Sequence, residues 1–213
     1  LDEQEMARRM VGRELNQIFP PKVRPQSTPV LQIRDLSVAG LLYDISFDLH
    51  KGEILGFSGL IGAGRTELAE AIIGIRPLSS GQITINGRPQ TINSPIDAVN
   101  NGIAYLSEDR QGTGVLTNFD VASNITLVSL EEYCKPLLDS KKEKARTEKY
   151  IETFNIRTPS TKTRLEYLSG GNQQKVSLAK SLDPQPEIFI IDEPTRGIDV
   201  NAKKEVYYFI NNL

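Results

Sequence analysis

The chain has 213 residues, 38% hydrophobic and 24% charged, an ordinary globular balance with room for one sizeable core. Its 25 basic and 27 acidic residues leave a formal net charge of -2, so charge gives no case for nucleic acid or an anionic membrane as partner. One cysteine and one histidine exclude an intrachain disulfide, a cysteine-based metal cluster and a multi-histidine metal site.

In chain order, Leu1, Met6, Met10, Val11, Leu15 and Ile18 recur at roughly helical spacing, with Asp2, Glu3 and Glu5 where a helix N-terminus favours acids. Pro20, Pro21, Pro25 and Pro29 then mark a linker, so residues 1–29 read as a helix and connector cut from something longer. The stretches 30–38 and 43–50 alternate like strands, and Tyr43 falls in that pattern as a packing residue. His50, before the Lys51-Gly52 turn, reads as a solvated edge residue. Residues 53–59, "EILGFSG", read as a buried strand, and 65–75 as a helix with Leu68, Ala71, Ile72 and Ile75 on one face. Asn86-Gly87 predicts a type I′ hairpin within 81–90. Residues 103–110 are a strand and polar loop, and 110–115 a glycine-rich, mobile connection. From Ser123 to about Thr163 the sequence turns helical and strongly charged, as if inserted between two parts of a sheet. A glycine loop feeds a helix at 168–182, and "EIFIIDEP" at 187–194 is a fully buried strand ending in two carboxylates. Strands alternating with helices predict an α/β fold with a mostly parallel sheet. No apolar run is long enough to span a bilayer and no signal peptide opens the chain, so the reading is cytoplasmic, with any membrane contact made through a partner.

Three constellations carry chemistry. The first is "GLIGAGRT", with Gly59, Leu60, Ile61, Gly62, Ala63, Gly64, Arg65 and Thr66 between a strand and a helix. Converging backbone N–H groups and a helix N-terminus bind phosphate, and Thr66 supplies the hydroxyl that such loops place on Mg²⁺. Arg65 stands where the pattern has lysine. Its planar fork keeps the charge but is bulkier than an ammonium, which makes the loop a binder of phosphate and a poor aligner of a γ phosphate. The second is Asp192 and Glu193 at a strand's C-terminal end, the first suited to a Mg²⁺ shell and the second to orienting or deprotonating water. The third is "LSGGNQQKV", where Ser169, Gly170 and Gly171 open a helix, a second anion-binding N-terminus suited to nucleotide held by another subunit. A plain Ser169 helix cap is compatible with the same residues.

Together with "IIDEPTRGIDV", these motifs make the chain resemble the ATP-binding subunits of ABC transporters. In detail "YLSEDR", "RTPS", "DEPTRGIDV" and the junction "MVGREL" are similar to the second half of the tandem-cassette subunit of ribose, galactose and related monosaccharide importers. The resemblance covers essentially the whole chain. It implies a P-loop NTPase fold, RecA-like, with an antiparallel β subdomain and a helical subdomain at about 115–163, incomplete at its C-terminal end. It also implies the end of a preceding cassette and a linker over 1–29, and the nucleotide-binding domain over 30–213.

In that family two cassettes pack head to tail around ATP and Mg²⁺. Carried over, Gly59 to Thr66 form the phosphate loop, Asp192 the Mg²⁺-side carboxylate and Glu193 the catalytic glutamate. Ser169, Gly170 and Gly171 reach the partner cassette's γ phosphate, and Asp199 falls in the interface loop. Glu108 matches a position that is usually glutamine and links Mg²⁺ to the membrane partner, and Asn172 replaces the glutamine of the commonest signature. The implied partners are a second cassette, membrane permease subunits and, indirectly, a periplasmic sugar-binding protein, at the inner face of the cell membrane. The expected division of labour is an intact lid lent in trans and an impaired loop kept in cis. A regulatory cassette that does not hydrolyse, and a soluble ABC ATPase outside transport, remain as alternatives.

Overall fold

The computed structural model describes residues 25–196 and 200–211; the helix read at 1–19, the first half of the proline linker and Asp199 lie outside them. Strands β1 (Pro29–Val38) and β2 (Leu42–His50) pair antiparallel, and β3 (Ser80–Ile85) and β4 (Arg88–Gln90) complete a four-stranded sheet in the order β2-β1-β3-β4. Asn86 and Gly87 both have positive φ, 49° and 75°, as a two-residue type I′ hairpin requires. A bulge at Asp35 (φ 50°) inverts the alternation of β1, so Leu36 and Val38 turn inward after Leu31 and Ile33.

Helix α1 (Arg65–Ile72) follows the glycine loop, and α2 (Pro95–Asn100), capped by Ser94, leads to β5 (Ile103–Leu106). β5 pairs in parallel with β6 (Ile188–Ile191), from Ile103 opposite Ile188 to Leu106 opposite Ile191. The crossover holds α3 (Val121–Thr126), α4 (Ser140–Thr153) and α5 (Gly170–Leu182), and α6 (Val200–Asn211) follows β6. Asp120 and Asp139 cap α3 and α4 by accepting first-turn N–H groups. Two apolar clusters flank the β5–β6 pair. Ile103, Ile188 and Ile190 face the antiparallel sheet and the α1 side chains Leu68, Ala71 and Ile72, while Leu106, Phe189 and Ile191 face Val176, Leu178 and Ala179 of α5. That period-2 division of β6 puts one layer on each side of a thin parallel sheet.

Several details differ from the sequence reading. Residues 53–60 carry no strand pairing among the described residues, and Ile54 and Leu55 are exposed. The apolar composition is strand-like, but β5 and β6 pair with each other, and Phe57 finds an edge-on contact with Phe47 of β2 instead (ring centroids 5.0 Å apart). In β6 only Ile188 is fully buried, because β5 is its one strand neighbour among the described residues. Ile75 lies beyond the left-handed Gly74 that follows α1 and is exposed, as is Tyr43 on β2. His50 is half-buried, its ring against Glu53 at 3.1 Å. The 110–114 connection is a single π-helical turn held at several points: Gly112 donates to Asp109, Thr113 to Ser107, and Lys180 of α5 donates to the Gly114 carbonyl at 2.7 Å.

The inserted helices are tied to α5 by Asp183, which is 0% exposed. Its carboxylate accepts from Arg146 Nε at 3.0 Å, from the Tyr133 hydroxyl at 2.9 Å and from Ser129. Burial, with the Asp183 bond and charge added, pushes the Tyr133 phenol well above its ordinary pKa, so it stays a donor. Asp183→Ala strands these donors and is expected to cost about 3 kcal/mol, read as a lower urea midpoint of the full-length protein. A midpoint equal to wild type contradicts this account of the network.

Candidate functional site

The glycine loop turns on two left-handed glycines, Gly62 (φ 82°) and Gly64 (φ 86°). Gly64 is the N-terminal flank of α1, has no side-chain cap, and a Cβ there would lie 2.7 Å from Leu42 Cδ2. Only glycine meets both the φ and the close approach. The first-turn N–H groups of α1 therefore carry no side-chain cap, and a helix end of this kind presents its positive end to solvent or an anion. Leu60 and Ile61 lie exposed on the loop, as Gly59, Gly62 and Ala63 do.

Packing of α1 against β5 and β6 brings the loop's end to the carboxyl end of β6. Thr66 Oγ1 donates to Asp192 Oδ2 at 2.6 Å, and Arg65 Nη1 lies 3.0 Å from Glu193 Oε1. Asp192 is 9% exposed, its N–H bound to the Leu106 carbonyl so that the parallel ladder reaches it. The Arg65 and Glu193 side chains are 33% and 45% exposed, so their pair is a partly solvated contact of small energetic weight and definite geometry. Tyr105, on β5, borders Asp192; burial first, then the Asp192 charge, push its phenol up to about 12. Glu193 has φ 44°, a left-handed backbone that costs a residue with a Cβ about 1–2 kcal/mol.

At the second loop, Ser169 flanks α5 with extended φ and ψ of -61° and 155°, yet its side chain makes no cap bond. Its hydroxyl instead accepts from the Asn172 amide at 3.0 Å, while Asn172 Oδ1 accepts the Arg157 N–H at 2.8 Å. Asn172 thus orients Ser169 and leaves the α5 N-terminus free of a side-chain cap. Arg110 Nη1 donates to the Gly170 carbonyl at 3.0 Å, and its buried Nε has no hydrogen-bond partner. Burial lowers the Arg110 pKa from its ordinary value. Among the described residues no hydrogen bond or ion pair joins Ser169, Gly170 or Gly171 to residues 59–66.

Glu108 forms its ion pair with Arg196, on the turn after Glu193, whereas Thr66 and Asp192 pair with each other. Among the described residues no group of three or more His, Cys, Asp or Glu suits a metal ion. The hydroxyl and carboxylate at 2.6 Å are hard oxygen donors, and fit a Mg²⁺ ion that keeps waters and takes further oxygens from phosphate. Tyr105, Arg110, Gln174 and Arg196 escape sequence reasoning, because each acts through a contact far along the chain.

A glycine loop set against the carboxyl end of a parallel strand defines the class: a P-loop nucleotide-binding cassette. Residues 42–196 match the family model described as ABC transporter, and the chain belongs to that family. It is 47% identical over its whole length to the Ribose import ATP-binding protein RbsA of Clostridium perfringens, covering 43% of that protein. It is 44% identical over 96% of its length to the Galactose/methyl galactoside import ATP-binding protein MglA of Haemophilus influenzae, covering 41% of it. The chain thus spans about two fifths of the length of these curated relatives. Among solved structures, an ATP-binding cassette of an ABC transporter matches with TM-score 0.74 and 17% identity, over 87% of this chain and 77% of that one. A nucleotide-free ATP-binding cassette matches at TM-score 0.73 and 18% identity, over 86% and 76%. Both share the α/β cassette fold.

Gly64→Ala sets a methyl against Leu42 and strains the backbone, and so is expected to weaken ATP binding about tenfold and to lower the melting temperature by a few degrees, a cost on the order of 1–2 kcal/mol. Calorimetric titration of the full-length protein checks this, and wild-type affinity contradicts it.

Proposed function

We propose that the chain is an ATP-binding cassette that energises uptake of a monosaccharide, with an intact lid lent to a partner cassette and an impaired phosphate loop of its own. The observation that carries the reading is the Arg65–Glu193 contact at 3.0 Å. The glycine-loop N–H groups and the α1 N-terminus cradle the phosphates of ATP, and Arg65 adds a positive charge. Thr66 and Asp192 hold Mg²⁺, which when bound neutralises phosphate charge. Glu193 is placed to orient a water and take its proton.

Arg65 works against that last task. Its guanidinium holds a carboxylate oxygen that the water needs, and a planar fork with several donors can bridge carboxylate and phosphate together. A lysine ammonium on its flexible stem gives a point charge instead. The uncapped α5 N-terminus, with Ser169, Gly170 and Gly171, supports the reading of a sound lid over a partner cassette's γ phosphate. The proposed site therefore binds ATP and turns it over slowly. The relatives' names, which specify ribose and galactose or methyl galactoside, support the reading of sugar import. Among the described residues no helix is long and apolar enough to cross a membrane, so the proposed partners are permease subunits at the cytoplasmic face, fed by a periplasmic sugar-binding protein. The second-cassette position within the full protein is part of the same proposal.

The same ion pair also favours a second reading, a regulatory cassette that never hydrolyses. Arg65→Lys in the full-length protein separates the two. A several-fold rise in ATP turnover is expected if Arg65 restrains Glu193, and unchanged turnover favours the regulatory cassette. Gly170→Asp, which sets a carboxylate at the lid, is expected to lower sugar-stimulated hydrolysis about a hundredfold, and wild-type hydrolysis sinks the trans role.

A further inference from the structure

The left-handed backbone of Glu193 persists only where its surroundings over-determine it. Besides the Glu108–Arg196 and Thr195–Tyr207 side-chain contacts and the Asp192 N–H bond to the Leu106 carbonyl, three contacts bear on the Glu193–Arg196 turn. Arg196 N–H donates to the Glu193 carbonyl at 3.1 Å, a bond within the turn itself. Arg65 holds the carboxylate, but through side chains that water reaches. The third contact is different. Gln174, 4% exposed, donates from Nε2 to the Pro194 carbonyl at 3.0 Å. Of the three it is the one that reaches the turn's main chain from outside the turn.

Gln174 sits four residues after Gly170, so the two share one face of α5. At Gly170 the helix is gripped by Arg110, and its neighbour Gln173 donates to the carbonyls of Leu165 and Leu168, both at 3.1 Å. The N-terminal end of α5 is therefore a fixed platform, and the Gln174 amide is its reach toward β6. We propose that Gln174 is a positioning residue for Glu193. It pins the Pro194 carbonyl, and with it the strained turn, to the helix whose N-terminus forms the lid. A movement of the lid is thereby passed to the carboxylate of this cassette's own site, where a displacement of about 1 Å is enough to cost on the order of a hundredfold in rate. The inference rests on the reading of Glu193 as the water-orienting group.

The test uses the full-length protein and two readouts. Gln174→Met keeps the volume and removes the donor. Hydrogen exchange of the peptide spanning 192–196 is expected to quicken about tenfold, with no change in the peptide spanning 175–182. In the Arg65→Lys background the same change is expected to lower kcat about tenfold at unchanged KM for ATP. Gln174→Asn, which keeps the amide but withdraws it by one methylene, acts in the same direction and serves where the methionine variant does not fold. Adding Glu193→Gly, which takes a positive φ without strain, shrinks the exchange effect to about twofold. Unchanged exchange at 192–196 overturns the inference, and so does failure of both variants to fold, which makes Gln174 a general core residue. If exchange responds while Arg65→Lys leaves turnover flat, the positional link stands and the slow-site reading fails.

Discussion

The Thr66–Asp192 contact is the constraint on which the site depends. It closes a separation of 126 residues at 2.6 Å and joins the first turn of one helix to the end of one strand. The approach to the glycine loop, residues 53–60, has no ladder among the described residues, so backbone pairing does not hold the loop in register with β6. Burial does most of that work. Leu68 and Ile72 of α1 share one apolar cluster with Ile103 and Ile188, and burying a leucine or isoleucine side chain in this way is worth roughly 1.5–3 kcal/mol. The hydroxyl–carboxylate contact then sets the last ångström.

The same architecture explains why two tasks can be divided within one chain. The β5–β6 pair has one face against α1 and the antiparallel sheet and the other against α5 and the inserted helices. The glycine loop before α1 belongs to the first layer and the glycine-opened helix α5 to the second. They meet at β6, where Asp192 answers to Thr66 and the Pro194 carbonyl to Gln174. Among the described residues no hydrogen bond or ion pair joins the two glycine loops, and the proposed coupling between the layers runs instead through Gln174 and the Pro194 carbonyl.

Much of this was legible in the sequence because it is written in local chemistry. Asn86-Gly87 demands two positive φ angles and gets them, and the strand β1, alternating up to Ile33, and the helix at 170–182 follow from residue period and a glycine start. The nucleotide-cassette class was legible from the order of the three motifs. What the sequence could not disclose depends on which segments become neighbours. "EILGFSG" has strand composition, but a strand also needs a partner edge. The bulge at Asp35 is invisible to a strict period, and Tyr43 shares the pattern of packed residues while lying on the open face of β2. Arg65 was recognisable as an odd residue in its motif, yet its contact with Glu193 arises only when the two layers are assembled. Arg110, Gln174 and Arg196 are undistinguished in sequence for the same reason.

On the proposed reading Arg65, by holding Glu193, leaves ATP bound and largely uncut in this cassette. The most direct measurement is photolabelling of the full-length protein with azido-ATP carrying its radiolabel at the γ phosphate, followed through a single turnover and mapped by peptide. The account predicts that label persists on peptides of this cassette after it has left the partner site. Loss of label from both sites at one rate contradicts it.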